Sequence, residues 1–529
     1  MNGQAETPLI LALDSGTSVV KAVAFSAGGD ILATASRPNR YALLPDGGAE
    51  QDMRRTFDDA AAVLADLAAQ IAVARPDAEI VALGVTGQGD GTWLIDADGD
   101  PVGDGWLWLD ARAGDLVEAL KASGAARAAF AFTGTGLAAC QQAPQLLWMR
   151  AHRPEAFARA ATAFHPKDYL YFRLTGIRAT SPCEGNFTFG DYRTRQYRPE
   201  VLEALGLADD APLLPPMLDG TLRWHALTAE AATRTGLRAG LPVVLGYVDV
   251  LCTALGAGLY GAGADAGVSV IGSTGMHIRL HPRLADVAPS AAGTGYCMPF
   301  PVPGHTIQAQ TNMAATLNID WLADLVADAV SLAGGPGSSR EKILRALGDM
   351  ALAARPGAAI FHPYISTAGE RGPFTDANAR ASLLGLDQNT RLPELARAVF
   401  EGLSFAARDC YDAIGGAPAD IRVTGGAARS PAIRALLAAV LNRPVRVAAQ
   451  PEAGAAGVAM MACVGIGLYS TMSDCAAAWV APRLEAPLLP DPDLVALYAK
   501  LFPIYRDSYA ALPPLWRRLR AAREGGDAR

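Results

Sequence analysis

Two stretches of this chain share one design, and that repetition limits the fold more than any other feature. Residues 9–13 are apolar and run into Asp14-Ser15-Gly16-Thr17-Ser18, after which the apolar run resumes over 19–25. Residues 268–271 are likewise apolar and run into Gly272-Ser273-Thr274-Gly275, and the chain returns as His277-Ile278-Arg279-Leu280. An apolar strand, a small-residue turn and a returning strand make a hairpin, because glycine supplies turn geometry that other residues resist. Two such hairpins, far apart in the chain, predict two α/β domains of one design facing a shared cleft. Taken singly, each also reads as an ordinary turn.

The surrounding pattern supports α/β domains. A turn at Gly28-Gly29-Asp30 leads into a third strand at 31–35, followed by an Ala-rich helix over 57–72 and a strand at 80–85. In the second half a strand at 243–246 ends in Tyr247-Val248-Asp249. Another at 421–424 breaks into Gly425-Gly426 before a helix over 431–441, with Ser430 as its cap and Pro431 in its first turn. A strand at 445–447 precedes Glu452-Ala453-Gly454 and a small-residue helix. Residues 334–339 read as a surface loop and 487–492 as a linker to a terminal helix. The expected boundaries are 8–255, 256–485 and a helical tail over 486–529.

Composition bounds the function. Of 529 residues, 51% are hydrophobic and 19% charged, which is ample for two well-buried cores. A net charge of -8 argues against a nucleic-acid binder, and the basic run at 517–523 reads as a solvated helix face. The 7 cysteines are scattered without metal-ligand spacing, as in a reduced cytoplasmic protein. The apolar runs at 9–13 and 457–469 fall short of the ~20 residues a membrane helix needs. A cytoplasmic protein without nucleic-acid or membrane partners is therefore expected.

The first hairpin suits phosphate chemistry. A glycine turn aims backbone N–H groups and the hydroxyls of Thr17 and Ser18 at phosphate oxygens, Lys21 reaches a terminal phosphate, and Asp14 holds hydrated Mg2+. The order differs from the Walker loop and from the dinucleotide fingerprint. Ser273, Thr274 and Gly275 would close on the same phosphates from the second hairpin, and Gly425 and Gly426 would let a flat ring approach backbone. Asp249, in apolar surroundings, reads as a base for a substrate hydroxyl, or else as a helix cap. Gln88, Asp90, Trp108, Asp110 and Arg112 offer the paired donors, acceptors and flat wall that a hydroxyl-rich ligand needs, although any one Trp, like Trp93, also suits a core.

In this order the motifs "LDSGTSVVK", "GVTGQGDGTWLID", "WLWLDARA", "HPKDYLYFRLTG", "GYVDV", "VIGSTG", "HPYISTAGERGPF", "VTGGAARSPAIRALLAAVLNRPV" and "EAGAAGVAMMA" resemble the FGGY family of carbohydrate kinases. The resemblance implies two ribonuclease-H-like domains of the actin/hexokinase-like ATPase type around a central cleft, with ATP and Mg2+. Position by position, it implies Asp14 at the metal, Thr17, Ser18, Lys21 and Thr274 at phosphates, Gly426 and Ser430 beside adenosine, and Asp249 as base. Glycerol kinases of the family place Arg-Glu at Gly89-Asp90, Gln at Val250 and an aromatic at Cys140; xylulokinases place Met-His and Asn at the first two sites. The resemblance runs furthest with members acting on erythritol, which implies phosphorylation of a terminal hydroxyl of that four-carbon polyol. A ketopentose acceptor, or an ATP-binding sugar sensor on the same fold, are the alternatives; the sensor has no use for Asp249 with Asp90 and Trp108. A homodimer is left open. So are Glu370 and Arg371, as hinge ion pair or ligand contacts.

Overall fold

The computed structural model describes residues 7–261, 265–335 and 337–524; Pro336 of the expected loop and residues 525–529 of the expected tail lie outside it. In the first domain β1 (Thr7–Ser15), β2 (Val19–Ser26) and β3 (Ile31–Pro38) run antiparallel. β4 (Ala78–Gly87) lies parallel to β1 on its other side. β5 (His225–Ala226) is the edge, and β6 (Pro242–Leu245) is parallel to β4. The apolar run of β1 is continuous because both faces of the sheet are covered. Leu9, Leu11 and Leu13 pack with Phe57, Leu64 and Leu67 of α1 (Met53–Ala74), while Ile10 and Ala12 point into a separate core. Asp52 starts α1 by accepting the N–H of Arg55. α2 (Asp249–Gly256) follows β6.

The second sheet repeats this plan. β7 (Ala266–Ile271), β8 (Gly275–His281) and β10 (Thr306–Asn312) are antiparallel, with β9 (Tyr296–Pro299) added beyond β10. β11 (Asp420–Thr424) is parallel to β7, and β12 (Val445–Val447) to β11. Three antiparallel strands followed by two parallel ones therefore occur in both domains. The expected two-domain α/β architecture is present.

Helices of the second half include α3 (Thr316–Leu332), α4 (Leu392–Asp412), α5 (Pro431–Leu441) and α6 (Ala453–Gly465). The stretch expected as a linker is pinned instead. Leu488 exchanges backbone hydrogen bonds with Val445 on β12, and α7 (Pro492–Ala510) buries Tyr498, Phe502 and Tyr505 in the second domain's core. α8 (Pro513–Glu524) ends the described chain.

α2 and α6, which follow the last strand of each sheet, pack face to face at the domain boundary. A Cβ on Gly256 would lie 2.0 Å from the Ala453 carbonyl oxygen, and one on Gly457 1.9 Å from that of Cys252. Only glycine permits this backbone approach. Val458, Ala459 and Met460 of α6 join Ile10, Ala12 and Val244 in one core, so the two domains share apolar interior. Among the described residues, no helix is long and apolar enough to cross a membrane. All 7 cysteines are buried free thiols.

Candidate active site

Between the two sheets lies a cleft of about 1410 Å³, with Thr17, Gln88, Asp90, Trp108 and Asp249 on one wall and Thr274, Tyr296 and Arg371 on the other. Asp249 was expected at a strand end. β6 stops at Leu245, Gly246 to Val248 connect it without regular structure, and Asp249 is the first residue of α2. Its side chain accepts the N–H of Val250 at 2.6 Å, so the helix start aims the carboxylate at the cleft. Burial pushes Asp249 up to about 8; the negative charge of Asp14 adds to this, as do those of Glu184 and Asp90, while the Val250 N–H opposes it. Such a carboxylate accepts a proton readily near neutral pH.

Asp14 is the last residue but one of β1, opposite Lys21 on β2 and Thr86 on β4. Its Oδ1 is buried without a protein partner, and burial pushes the group up to about 6 against the pull of Lys21. Oδ2 lies 2.9 Å from the place a Cβ on Gly454 would take, so the carboxylate rests on the first turn of α6. Lys21 was expected to reach phosphate. Here its Nζ pairs with Glu452 Oε2 at 2.6 Å, across the domain boundary. Glu452, just before α6, is a residue the sequence reading passed over; its one signal was a charged side chain ahead of an apolar helix.

Thr17 is also differently engaged than expected. Its hydroxyl donates to Gln88 Oε1 at 3.0 Å and accepts from Trp108 Nε1 at 2.8 Å, so it orients two cleft side chains. Ser18 is exposed, its carbonyl taking the Asn39 N–H. In the second hairpin Thr274 lines the cleft. Ser273 is exposed, and its carbonyl and that of Gly272 accept the N–H groups of Ala315 and Thr316 at the start of α3. Gly275 opens β8. Gly425 has φ 91°, and a Cβ there would lie 2.6 Å from the Ile271 carbonyl oxygen, holding the end of β11 against β7. Gly426 beside it faces open space, and Ser430 caps α5 through the Ile433 N–H. These last three are not among the residues lining the cleft.

Asp110 and Arg112 are not brought to the cleft wall either. The Arg112 side chain is 1% exposed; it pairs with Asp110 at 2.5 Å and with Glu50 at 2.8 Å, its guanidinium 3.4 Å above the Trp106 ring. Asp110 also takes the Ala49 N–H. Both side chains are thus engaged with the loop beneath Trp108, away from the cleft wall. Trp93 is core.

Behind Asp249 sits a buried charged cluster that the motif "HPKD" contained but did not explain. Lys167 places its ammonium between Asp168 and Glu184, with His165 against Asp168. His165, Asp168 and Glu184 have the spacing of a metal site, but Lys167 already supplies the cation. Glu370 accepts the N–H groups of Met313, Arg371 and Gly372, and burial pushes it up to about 8. It pairs with no arginine among the described residues, whereas Arg371 turns to the cleft.

Comparison with known proteins places this geometry. Residues 9–256 match the N-terminal domain, and 267–466 the C-terminal domain, of the FGGY family of carbohydrate kinases. The chain is 51% identical to an erythritol kinase of Brucella abortus (strain 2308), over 97% of its own length and 98% of that protein's. It is 28% identical to a xylulose kinase of Escherichia coli (strain K12), over 96% and 100% of the two chains. The crystal structure of a gluconate kinase from Lactobacillus acidophilus superposes with a TM-score of 0.87 at 24% identity, covering 97% of this chain and 100% of that one.

Proposed function

Because the chain belongs to the FGGY family of carbohydrate kinases, we propose that it transfers the γ-phosphoryl group of ATP to a terminal hydroxyl of erythritol. Identity of 51% along almost the whole of an erythritol kinase supports that acceptor over a ketopentose, since xylulose kinases stand at 24% to 28%. The observation that carries the mechanism is Asp249, a carboxylate held on a helix start in the wall of the cleft, with its proton affinity raised.

Asp249 accepts the proton of the attacking hydroxyl as the phosphoryl group is transferred, and holds that hydroxyl in line. The transition state is loose, so orientation and charge balance matter more than base strength. Trp108 gives the carbon chain a flat wall, and Gln88 and Asp90 meet its hydroxyls. The unpartnered Oδ1 of Asp14 suits a hydrated Mg2+ ion, which would neutralise charge on the phosphates when bound. Lys21 would share its charge between Glu452 and the terminal phosphate. Thr274 meets the phosphates from the opposite hairpin, and the open face of Gly426 leaves room for the adenosine. On this reading residues 8–255 form the acceptor side and 256–485 the nucleotide side of a cytoplasmic enzyme.

A coupled ADP-release assay over erythritol, glycerol, threitol, arabinitol, ribulose and xylulose tests the acceptor. Highest kcat/KM on erythritol is expected, and preference for either ketose would overturn the proposal.

A further inference from the structure

The acceptor end of the cleft gathers four side chains from both domains: Asp90 and Cys140 from the first, Tyr296 and Arg371 from the second. Asp90 has φ 55°, in the left-handed region that a non-glycine residue adopts only when its surroundings hold it there. Its neighbours show why. A Cβ on Gly89 would lie 2.4 Å from Val248 Cγ2, and one on Gly91 2.3 Å from the Trp106 carbonyl oxygen, so the segment is clamped on both sides.

The clamp presents a carboxylate with one spent oxygen and one unspent. Oδ2 accepts the Tyr296 hydroxyl at 3.1 Å and lies 3.6 Å from Cys140 Sγ; Oδ1 is buried and has no partner. Across the cleft, Arg371 donates Nη1 to the same Sγ at 3.5 Å, and among the described residues its side chain makes no ion pair and no other hydrogen bond. A bare acceptor and a guanidinium with donors in reserve thus face one end of the cleft. Leaving such groups unmet costs free energy, and a hydroxyl, which both donates and accepts, satisfies both.

We propose that Arg371 and Tyr296 determine acceptor specificity. Asp90 Oδ1 accepts a hydrogen bond from the hydroxyl remote from Asp249, Arg371 donates to that hydroxyl or its neighbour, and Tyr296 fixes the Asp90 carboxylate from the opposite domain. The opposite charges of Asp90 and Arg371 suit a neutral polyol rather than a sugar acid. A polyol one carbon shorter leaves one of the two unmet. This rests on the erythritol reading above and deepens it, since both domains then read the acceptor.

The test is kcat and KM on erythritol and on glycerol for the wild type, Arg371→Met and Tyr296→Phe. Loss of a hydrogen bond to a charged group predicts a fall in kcat/KM on erythritol of ~30- to 100-fold for Arg371→Met and ~10-fold for Tyr296→Phe, expressed in KM. Glycerol should change less than ~3-fold, so that the ratio between the polyols collapses. Equal losses on both polyols, or none on erythritol, would overturn the proposal. KM for ATP and the melting temperature should stay near wild type; if Arg371→Met fails to fold, Tyr296→Phe decides by the same ratio. Failure of the wild type to phosphorylate erythritol would instead strike the acceptor reading, and the ratio would then be taken between threitol and glycerol.

Discussion

At matching places in their sheets, β1–β2 turns between Asp14 and Lys21, whereas β7–β8 turns through four small residues, Gly272 to Gly275. The first turn is flanked by opposite charges, and both lie against the start of α6: Asp14 rests on Gly454 and Lys21 pairs with Glu452, just before the helix. The second turn carries none, and its carbonyls instead cap the start of α3 through Ala315 and Thr316. One backbone plan has therefore been given two chemistries. The charged hairpin suits a cation and a terminal phosphate; the neutral one suits a hydroxyl contact at fixed distance.

That contrast can be broken in order of expected effect. Asp249→Ala, which removes the proposed base, should lower kcat by ~10³- to 10⁴-fold while ATP still binds by calorimetry. Near-normal turnover would remove the base from the scheme. Asp14→Asn should lower kcat by ~10²-fold and raise the Mg2+ concentration needed, whereas Thr274→Ala on the neutral hairpin should cost only ~10-fold, in KM for ATP. If the two variants lose equally, the division of labour between the hairpins is wrong.

The pH profile sharpens the same comparison. Asp249 must be ionised to accept a proton, so kcat/KM for the acceptor should climb with pH and level off above about 8. Asp14 is the second cause of that raised value after burial, so Asp14→Asn should move the rising limb to lower pH in its residual activity. The sign for stability is the reverse. A carboxylate that folding raises from 3.8 to about 8 favours the fold most below 3.8, and that contribution is lost as pH rises to about 8. Asp249→Asn should therefore flatten the fall of melting temperature across this window. The smallest change is expected from Gly426→Ala. A methyl group meets no protein atom there, so stability should move by less than ~0.5 kcal/mol while KM for ATP rises a few-fold.

The fold was legible where periodicity and turn chemistry are local. Strands β1 to β4, the hairpin at 271–275 and the limits of α5 follow from runs of apolar residues, glycines and the Ser430-Pro431 start signal. The candidate site was legible in part. Asp249, Asp90 and Trp108 stand on the cleft wall because their strands or turns end there. Asp110 and Arg112 look like ligand contacts in one dimension, yet Asp110 pairs with Arg112 and the Ala49 N–H, and Arg112 also pairs with Glu50; nothing near residue 110 announces residues 49 and 50. Tyr296 is invisible for the same reason. Its place opposite Asp90 depends on β9 adding to the second sheet and on how the domains meet.

The contact of α2 with α6 has a mechanical consequence. Where backbone touches backbone at Gly256 and Gly457, no side chain stands between the helices to yield, so a change in their spacing has no soft element to absorb it. Asp249 begins one of these helices, and the carboxylate of Asp14 leans on the other. If the cleft opens about this contact, its far walls should swing while the distance between those two carboxylates stays nearly constant. The proposed base and metal ligand would then stand at the pivot.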